Sequence, residues 1–256
     1  MTNLFDMTGQ VAVITGSSRG IGKAIAHRMA EHGADVIVSS RKQEACEAAA
    51  AEINAAVGRE AASARAANIS SKDDLQGLAD FALNRHGKVT ALVCNAASNP
   101  YFGPMAGIAD EQFVKILMNN VVSNHWLIQM LGPRMLERGE GSITIVSSIG
   151  GLKASTVIGA YNISKAADMQ LARNLSAEYG PHGVRVNCIC PGLIKTDFAR
   201  ALWESPDILK QATAGSSLKR IGEPDEIAGM AVFLASRAGA FTTGQALVID
   251  GGATIV

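Results

Sequence analysis

Val11-Ala-Val-Ile-Thr15, running into Gly16-Ser-Ser-Arg-Gly20-Ile-Gly22, is the stretch that decides the fold. An apolar run without alternation suits a strand covered on both faces. From 21 to 31 the apolar residues Ile21, Ala24, Ile25 and Met29 recur at helical spacing, and Gly33 is a stop signal. Glycines at such a handover let the chain turn sharply and let backbone N–H groups approach a pyrophosphate at the helix N-terminus. The spacing is G-x-x-x-G-x-G, not the more familiar G-x-G-x-x-G. Its place between a strand and a helix, at the head of an alternating chain, predicts dinucleotide binding.

Outward from this loop, strand and helix patterns keep alternating. Strands are expected at 35–39, 61–67, 90–94, 141–147, 184–190 and 246–249, with 61–67 the weakest pattern. Helices are expected at 43–57, 73–84, 110–131, 160–179 and 224–236, with Pro133 near the end of the third. A loop with short helical segments fills the region from about 193 to 222. The alternation predicts an α/β protein: one single-domain Rossmann fold over 1–256, with a doubly wound, seven-stranded parallel sheet and helices on both faces. No low-complexity tract or fixed-period repeat interrupts it.

The bulk numbers agree with one large domain: 256 residues, 48% hydrophobic and 18% charged. Lys+Arg and Asp+Glu number 23 each, and without a basic run a nucleic-acid partner is not expected. No apolar run reaches transmembrane length and no signal peptide is evident, so a cytoplasmic address is the default expectation. Cys46, Cys94, Cys188 and Cys190 lack the spacing or histidine partners of a metal site and read as buried, reduced thiols.

The cofactor's ribose is read at the end of the second strand. An acid there would take the 2′-hydroxyl of NAD, but the sequence is Ser39-Ser-Arg41-Lys42. Arg41 suits a 2′-phosphate, and Arg19 in the glycine loop could reach the same group, so NADP is favoured over NAD.

Tyr161-Asn-Ile-Ser-Lys165 places a phenol and an ammonium on one helix face, with Ser148 thirteen positions earlier. A nearby ammonium favours the phenolate, so this tyrosine can exchange a proton with a carbonyl oxygen while a serine hydroxyl holds that oxygen.

With the glycine loop, Asn95-Ala-Ala97, Ser148, Tyr161-x-x-x-Lys165 and Pro191-Gly192 in this order, essentially the whole chain resembles the short-chain dehydrogenase/reductase family. Within it, Asn99-Pro-Tyr-Phe-Gly103, Ser39-Ser-Arg-Lys42 and Pro191-Gly-Leu-Ile-Lys-Thr196 with Leu202-Trp203 are similar to an NADP-dependent carbonyl reductase/retinol dehydrogenase group. The resemblance implies that Tyr161 is the acid/base, that Lys165 binds the nicotinamide ribose, and that Ser148 binds the substrate carbonyl. Asn120 would hold a relay water through its backbone carbonyl, although Asn119 is adjacent. Gly16, Ser18, Arg19, Gly20, Ile21 and Gly22 would form the pyrophosphate loop. Asn68 and Ile69 would contact adenine, Asn95 and Ala96 would line the cofactor's floor, and Pro191, Gly192, Ile194 and Thr196 would clamp the nicotinamide amide. Three positions depart from the family pattern: Asn68-Ile69 for Asp-Val, Ala97 for glycine, and Ser123 for the glycine three after the helix asparagine.

Substrate contacts are expected from loops beyond the strand ends, which hold Tyr101, Phe102, Met105, Leu152, Val157, Leu193, Phe198, Leu202 and Trp203. Of these, Tyr101, Phe198 and Trp203 join Ser148 and Tyr161 as expected substrate contacts. The inventory favours an apolar or aromatic ketone, aldehyde or secondary alcohol. Lys153, Lys195 and Arg200 keep 3-oxoacyl thioester reduction as the alternative. A catalytically silent NADP-binding regulator is the reading from another class. The resemblance also implies a homotetramer built on the helices at 110–131 and 160–179, including Trp126, Met130, Met169 and Leu171.

Overall fold

The computed structural model describes residues 3–256. Seven strands form one sheet: β1 (Val11–Thr15), β2 (Asp35–Ser39), β3 (Ala62–Ala64), β4 (Ala91–Cys94), β5 (Gly141–Val146), β6 (Val184–Pro191) and β7 (Ala246–Ile249). Their spatial order is β3-β2-β1-β4-β5-β6-β7 and every pairing is parallel. Val13 lies between Ile37 and Leu92, which fixes the central register. The helices are α1 (Gly20–Glu31), α2 (Gln43–Val57), α3 (Lys72–His86), α4 (Asp110–Leu117), α5 (Ser123–Arg138), α6 (Gly159–Tyr179), α7 (Pro206–Thr213) and α8 (Pro224–Ala235). The expected single doubly wound domain is the one observed.

Parallel strands need covered crossovers, and each sheet face carries its own core. Ile14, Val36, Val38 and Val93 pack with α1, α2 and α8, including Ile25, Met29, Ile53 and Ile227. Val13, Ile37, Leu92 and Ile145 face the other way, onto Leu75, Leu127, Met135 and Met169 of α3, α5 and α6. Successive strand residues thus feed opposite cores, which explains the absence of alternation in the sequence. Trp126, Met130 and Leu171, expected at subunit contacts, are partly buried and pack against this second core.

Three differences from the expected elements have local causes. The weak third strand contracts to Ala62–Ala64, an edge strand paired only with β2. The long helix expected at 110–131 runs on past Pro133 to Arg138 and is interrupted by a π-turn, Met118–Val122, between α4 and α5. Pro133 is tolerated because it is exposed, and Gln129, whose carbonyl loses its helical donor, is exposed too. The loop after β6 contains a 3₁₀ segment (Asp197–Leu202) and α7. Its base is stapled where Lys195 donates to the Gly222 carbonyl (2.9 Å) and Gly222 donates to the Leu193 carbonyl (3.0 Å).

β1 is flanked by β2 on one side and β4 on the other, so chain direction through the sheet reverses there. The crevice beyond the carboxyl ends of those strands is where ligands of such sheets bind. The loop from Gly16 to Gly22 sits at its mouth. Gly16 has φ +66°, and a Cβ on Gly22 would stand 2.5 Å from both the Gly16 carbonyl oxygen and Asn95 Nδ2. No helix of the described residues is long and apolar enough to cross a membrane.

Gly22→Ala should therefore force the loop apart, lowering stability by about 1–3 kcal/mol. A reduced thermal midpoint, together with weakened nicotinamide-nucleotide binding by fluorescence titration, would show it. An unchanged midpoint would contradict the contact.

Candidate active site

The glycine loop is held from behind. Asn95, following β4, donates from Nδ2 to the carbonyls of Thr15 (2.9 Å) and Gly16 (3.1 Å). Thr15 Oγ1 accepts from the backbone N–H of Asn95 (3.0 Å) and Ala96 (3.1 Å). Ser17 Oγ ties the loop to β2 by accepting from Ser39 N–H (2.9 Å). The N-cap of α1, Arg19, places no side-chain acceptor on the first-turn N–H groups. Orphan donors at a helix start, beside glycines that tolerate no Cβ, fit an anionic pyrophosphate. A Cβ on Gly20 would stand 3.3 Å from the Thr196 methyl, so the loop after β6 borders the same crevice.

The residues expected at the ribose and adenine lie around it. Arg41 is exposed just beyond β2 and forms no ion pair among the described residues. Arg19 is also exposed, but it pairs at 2.8 Å with Asp197, in the 3₁₀ segment after β6. Asn68 is exposed and its Oδ1 accepts from Ser70 N–H (3.2 Å), while Ile69 packs against the second core. Pro191 ends β6, and Ile194 is buried beside Gly222.

The two adjacent asparagines separate cleanly. Asn119 is a strut: its Oδ1 accepts from Ser70 Oγ (2.8 Å) and its Nδ2 donates to Ser98 Oγ (2.9 Å). Asn120, fully buried in the π-turn, donates to the Ser98 carbonyl and to Ser164 Oγ, both at 3.0 Å, and accepts from Ser98 N–H (2.8 Å). Ser164 lies on α6 between Tyr161 and Lys165, so Asn120 touches the same helix face as both.

Ser148 follows β5 and caps the short turn after it, accepting from Gly150 N–H (3.0 Å). Tyr161 is half-buried in the first turns of α6, with Phe198 6.0 Å away ring to ring. Lys165 is only 2% exposed. Its Nζ lies 5.7 Å from the Tyr161 ring centroid and donates to the Val146 carbonyl (2.9 Å) and Asp168 Oδ2 (3.0 Å). Burial alone would lower the Lys165 pKa, but the Asp168 charge, Tyr161 and the Asp168 hydrogen bond outweigh it and hold the ammonium above its ordinary range. An ammonium has three donors, and two are used within the protein.

The expected substrate aromatics are not equally free. Tyr101 Oη donates to the Pro104 carbonyl (2.8 Å) and Trp203 Nε1 donates to the Thr196 carbonyl (2.8 Å). Both polar ends are committed to shaping their loops, a use that residue type alone does not reveal. Phe198, by contrast, is 61% exposed. No cluster of three metal-ligating side chains occurs among the described residues.

Sequence reasoning missed Asp168, Asn124 and Ser98. Asp168 had a signal: it falls on the buried face of α6 together with Lys165, Met169 and Ala172. An acid on such a face needs a partner.

A glycine-loop Rossmann sheet with a serine, a tyrosine and a buried lysine at one strand end defines an NAD(P)-binding oxidoreductase of CH–OH and C=O groups. A family model described as enoyl-(acyl carrier protein) reductase matches residues 16–254. Dehydrogenase/reductase SDR family member 4 of Bos taurus is 40% identical over 246 residues, covering 96% of this chain and 88% of the relative. That of Oryctolagus cuniculus is 38% identical, covering 96% and 94%. Among solved structures, a 7α-hydroxysteroid dehydrogenase complexed with NADH and 7-oxo glycochenodeoxycholic acid has a TM-score of 0.92 at 35% identity, over 98% of both chains. A gluconate 5-dehydrogenase from Burkholderia cenocepacia, in complex with NADP and tartrate, has a TM-score of 0.93 at 28% identity, covering 99% and 98%. The chain belongs to the short-chain dehydrogenase/reductase family.

All four cysteines are buried. Burial pushes the Cys190 thiol up to about 11 and raises Cys94 and Cys188 as well. At about pH 8 the native protein should leave its thiols unreacted in a disulfide-reagent titration, and all should react once it is unfolded. A fast-reacting native thiol would contradict this environment.

Proposed function

We propose that the protein is an NADP(H)-dependent reductase of an apolar or aromatic ketone or aldehyde, running also as the alcohol dehydrogenase. The observation that carries the reading is the buried ammonium of Lys165, 5.7 Å from the Tyr161 ring centroid and bound to the carbonyl of Val146, two residues before Ser148. Ser148 would hold the carbonyl oxygen and Tyr161 would deliver its proton. Lys165 would direct its remaining donor to the nicotinamide ribose and keep a positive charge beside Tyr161. Asn120, Lys165 and the ribose would form the path that reprotonates Tyr161. When bound, the nicotinamide supplies the hydride.

Gly16, Ser18, Arg19, Gly20, Ile21 and Gly22 would hold the pyrophosphate, and Pro191, Gly192, Ile194 and Thr196 the nicotinamide. Arg41 supports NADP, being a free guanidinium beyond a strand end that has no acid. Phe198, Phe102 and Leu152 are exposed apolar groups on the expected substrate loops and support an apolar substrate. The cations that would favour an anionic thioester are already engaged. Lys153 donates to the Ala253 carbonyl, Arg200 pairs with Asp197, and Lys195 stands over the Trp203 ring. The segment from about 193 to 222 would be the substrate loop, and a homotetramer belongs to the same reading.

Tyr161→Phe should bind NADPH with unchanged affinity and lose turnover by about 10²–10⁴-fold on a panel of aryl ketones, diketones, aldehydes and acetoacetyl thioesters. A variant that keeps most of its activity would sink the assignment. Arg41→Asp should shift the NADPH/NADH preference towards NADH by about tenfold or more, the worth of one charge-assisted hydrogen bond. Wild-type preference for NADH would overturn the role of Arg41.

A further inference from the structure

We infer that Asp168 is a positioning residue for the reaction, a buried counter-ion that keeps Lys165 charged and aimed at Tyr161. This rests on the role proposed above for Lys165. Asp168 is fully buried on α6, three residues after the lysine. Its Oδ2 takes the Lys165 ammonium at 3.0 Å and its Oδ1 accepts from Asn124 Nδ2 at 3.2 Å. Asn124 Nδ2 also donates to the Asn120 carbonyl at 2.6 Å, the carbonyl expected to hold the relay water. One carboxylate therefore reaches two members of the candidate site, Lys165 directly and Asn120 through Asn124.

A carboxylate in such a place is expensive to bury and would be expected only where a charge needs it. Nothing else nearby can serve Lys165. Among the surrounding groups, β5 offers the Val146 carbonyl, which is neutral. Cys94 on β4 and Cys188 and Cys190 on β6 are thiols held protonated by burial. Tyr161 is the proposed proton donor, and Arg173, further along α6, carries the same sign as the lysine. Without Asp168, burial would act on the lysine with its strongest opponent removed and drive it towards the neutral amine. A neutral amine puts no positive charge beside Tyr161, and it has one fewer proton to offer the ribose.

The pH dependence has a definite sign. In the wild type the Lys165 pKa is raised on folding, so the stabilisation is complete below the unfolded-lysine range and is lost only as pH rises through the higher folded value. In Asp168→Asn the folded pKa drops instead, so the variant is penalised at neutral pH and the penalty is relieved as pH rises.

The test compares wild type, Asp168→Asn and Asp168→Glu in two measurements. The first is the thermal midpoint of the cofactor-free protein from about pH 7 to about pH 10. The gap between wild type and Asp168→Asn should be widest near neutrality and narrow with rising pH. The second is kcat for the best substrate of the panel over the same range. Asp168→Asn should lose about tenfold or more at neutral pH and fall further as pH rises, with NADPH affinity at neutral pH within about threefold. Asp168→Glu, which keeps the charge, should recover most of the wild-type profile. Parallel pH profiles for wild type and Asp168→Asn in both measurements would overturn the inference. If Tyr161→Phe is inactive in the same assays, that result leaves the role of Tyr161 standing, so the two failures are told apart. If Asp168→Asn does not fold, Lys165→Met/Asp168→Asn, which removes the unpaired charge, should fold. If the double variant also fails, charge pairing is not what Asp168 supplies and the inference falls.

Discussion

The ammonium of Lys165 is buried where β5, β6, α5 and α6 meet, and much of the polar interior follows from that one placement. A cation so enclosed must be met by an anion and by hydrogen bonds, or it will shed its proton. Asp168 and the Val146 carbonyl meet it. Asp168 then needs its second oxygen satisfied, which Asn124 does, and Asn124 in turn reaches the Asn120 carbonyl. The π-turn at Met118–Val122 serves the same end. An uninterrupted α-helix would carry on its regular pairing through this point, whereas the extra residue re-aims Asn120 towards Ser98 and Ser164.

The glycine loop poses the opposite problem. There the backbone must stay bare if its N–H groups are to meet a pyrophosphate. The structure keeps side chains off the front and braces the loop from the back, through Asn95, Thr15 and Ser17. Ala97, which stands where glycine is usual in the family, follows this brace and does not disturb it, because the clamping atoms belong to Asn95 and Ala96. The second departure, Asn68 for aspartate, also has a local role: its Oδ1 turns the chain towards α3, whose N-cap Ser71 accepts from Asp74 N–H.

Most of the fold was legible because periodicity and punctuation agree. The strand at Val11–Thr15 and the helix at Gln43–Val57 have the predicted bounds. What was not legible is set by long-range geometry. Nothing local announces a π-turn, and a helical proline reads as a stop unless its face is known to be solvent-exposed. Tyr161-x-x-x-Lys165 is a weak pattern by itself and stands out only because the glycine loop, Ser148 and Pro191-Gly192 accompany it in order. Asp168 was overlooked because an acid within a long helix is usually on a wet face. Only the alignment of 161, 165, 168 and 172 on one side of α6 marks it as different.

The same distinction separates the chemistry from the substrate. The groups around Lys165 are constrained from all sides by hydrogen bonds within the protein, so their arrangement is a property of the fold. The loops over Tyr161 are constrained mainly at their ends: the staple at Gly222, the Tyr101 hydroxyl on Pro104, and the Trp203 indole on Thr196. Between those pins the exposed apolar groups include Phe102, Phe198 and Leu202, which would recognise a substrate by shape and by exclusion of water. Apolar contacts discriminate weakly between similar molecules, by about 1–3 kcal/mol per methylene, whereas a dedicated hydrogen bond discriminates far more. Under the function proposed above, a site that commits its polar atoms to its own framework would accept a class of carbonyl compounds, selected by bulk and hydrophobicity, with the reacting oxygen as the one atom read by hydrogen bond.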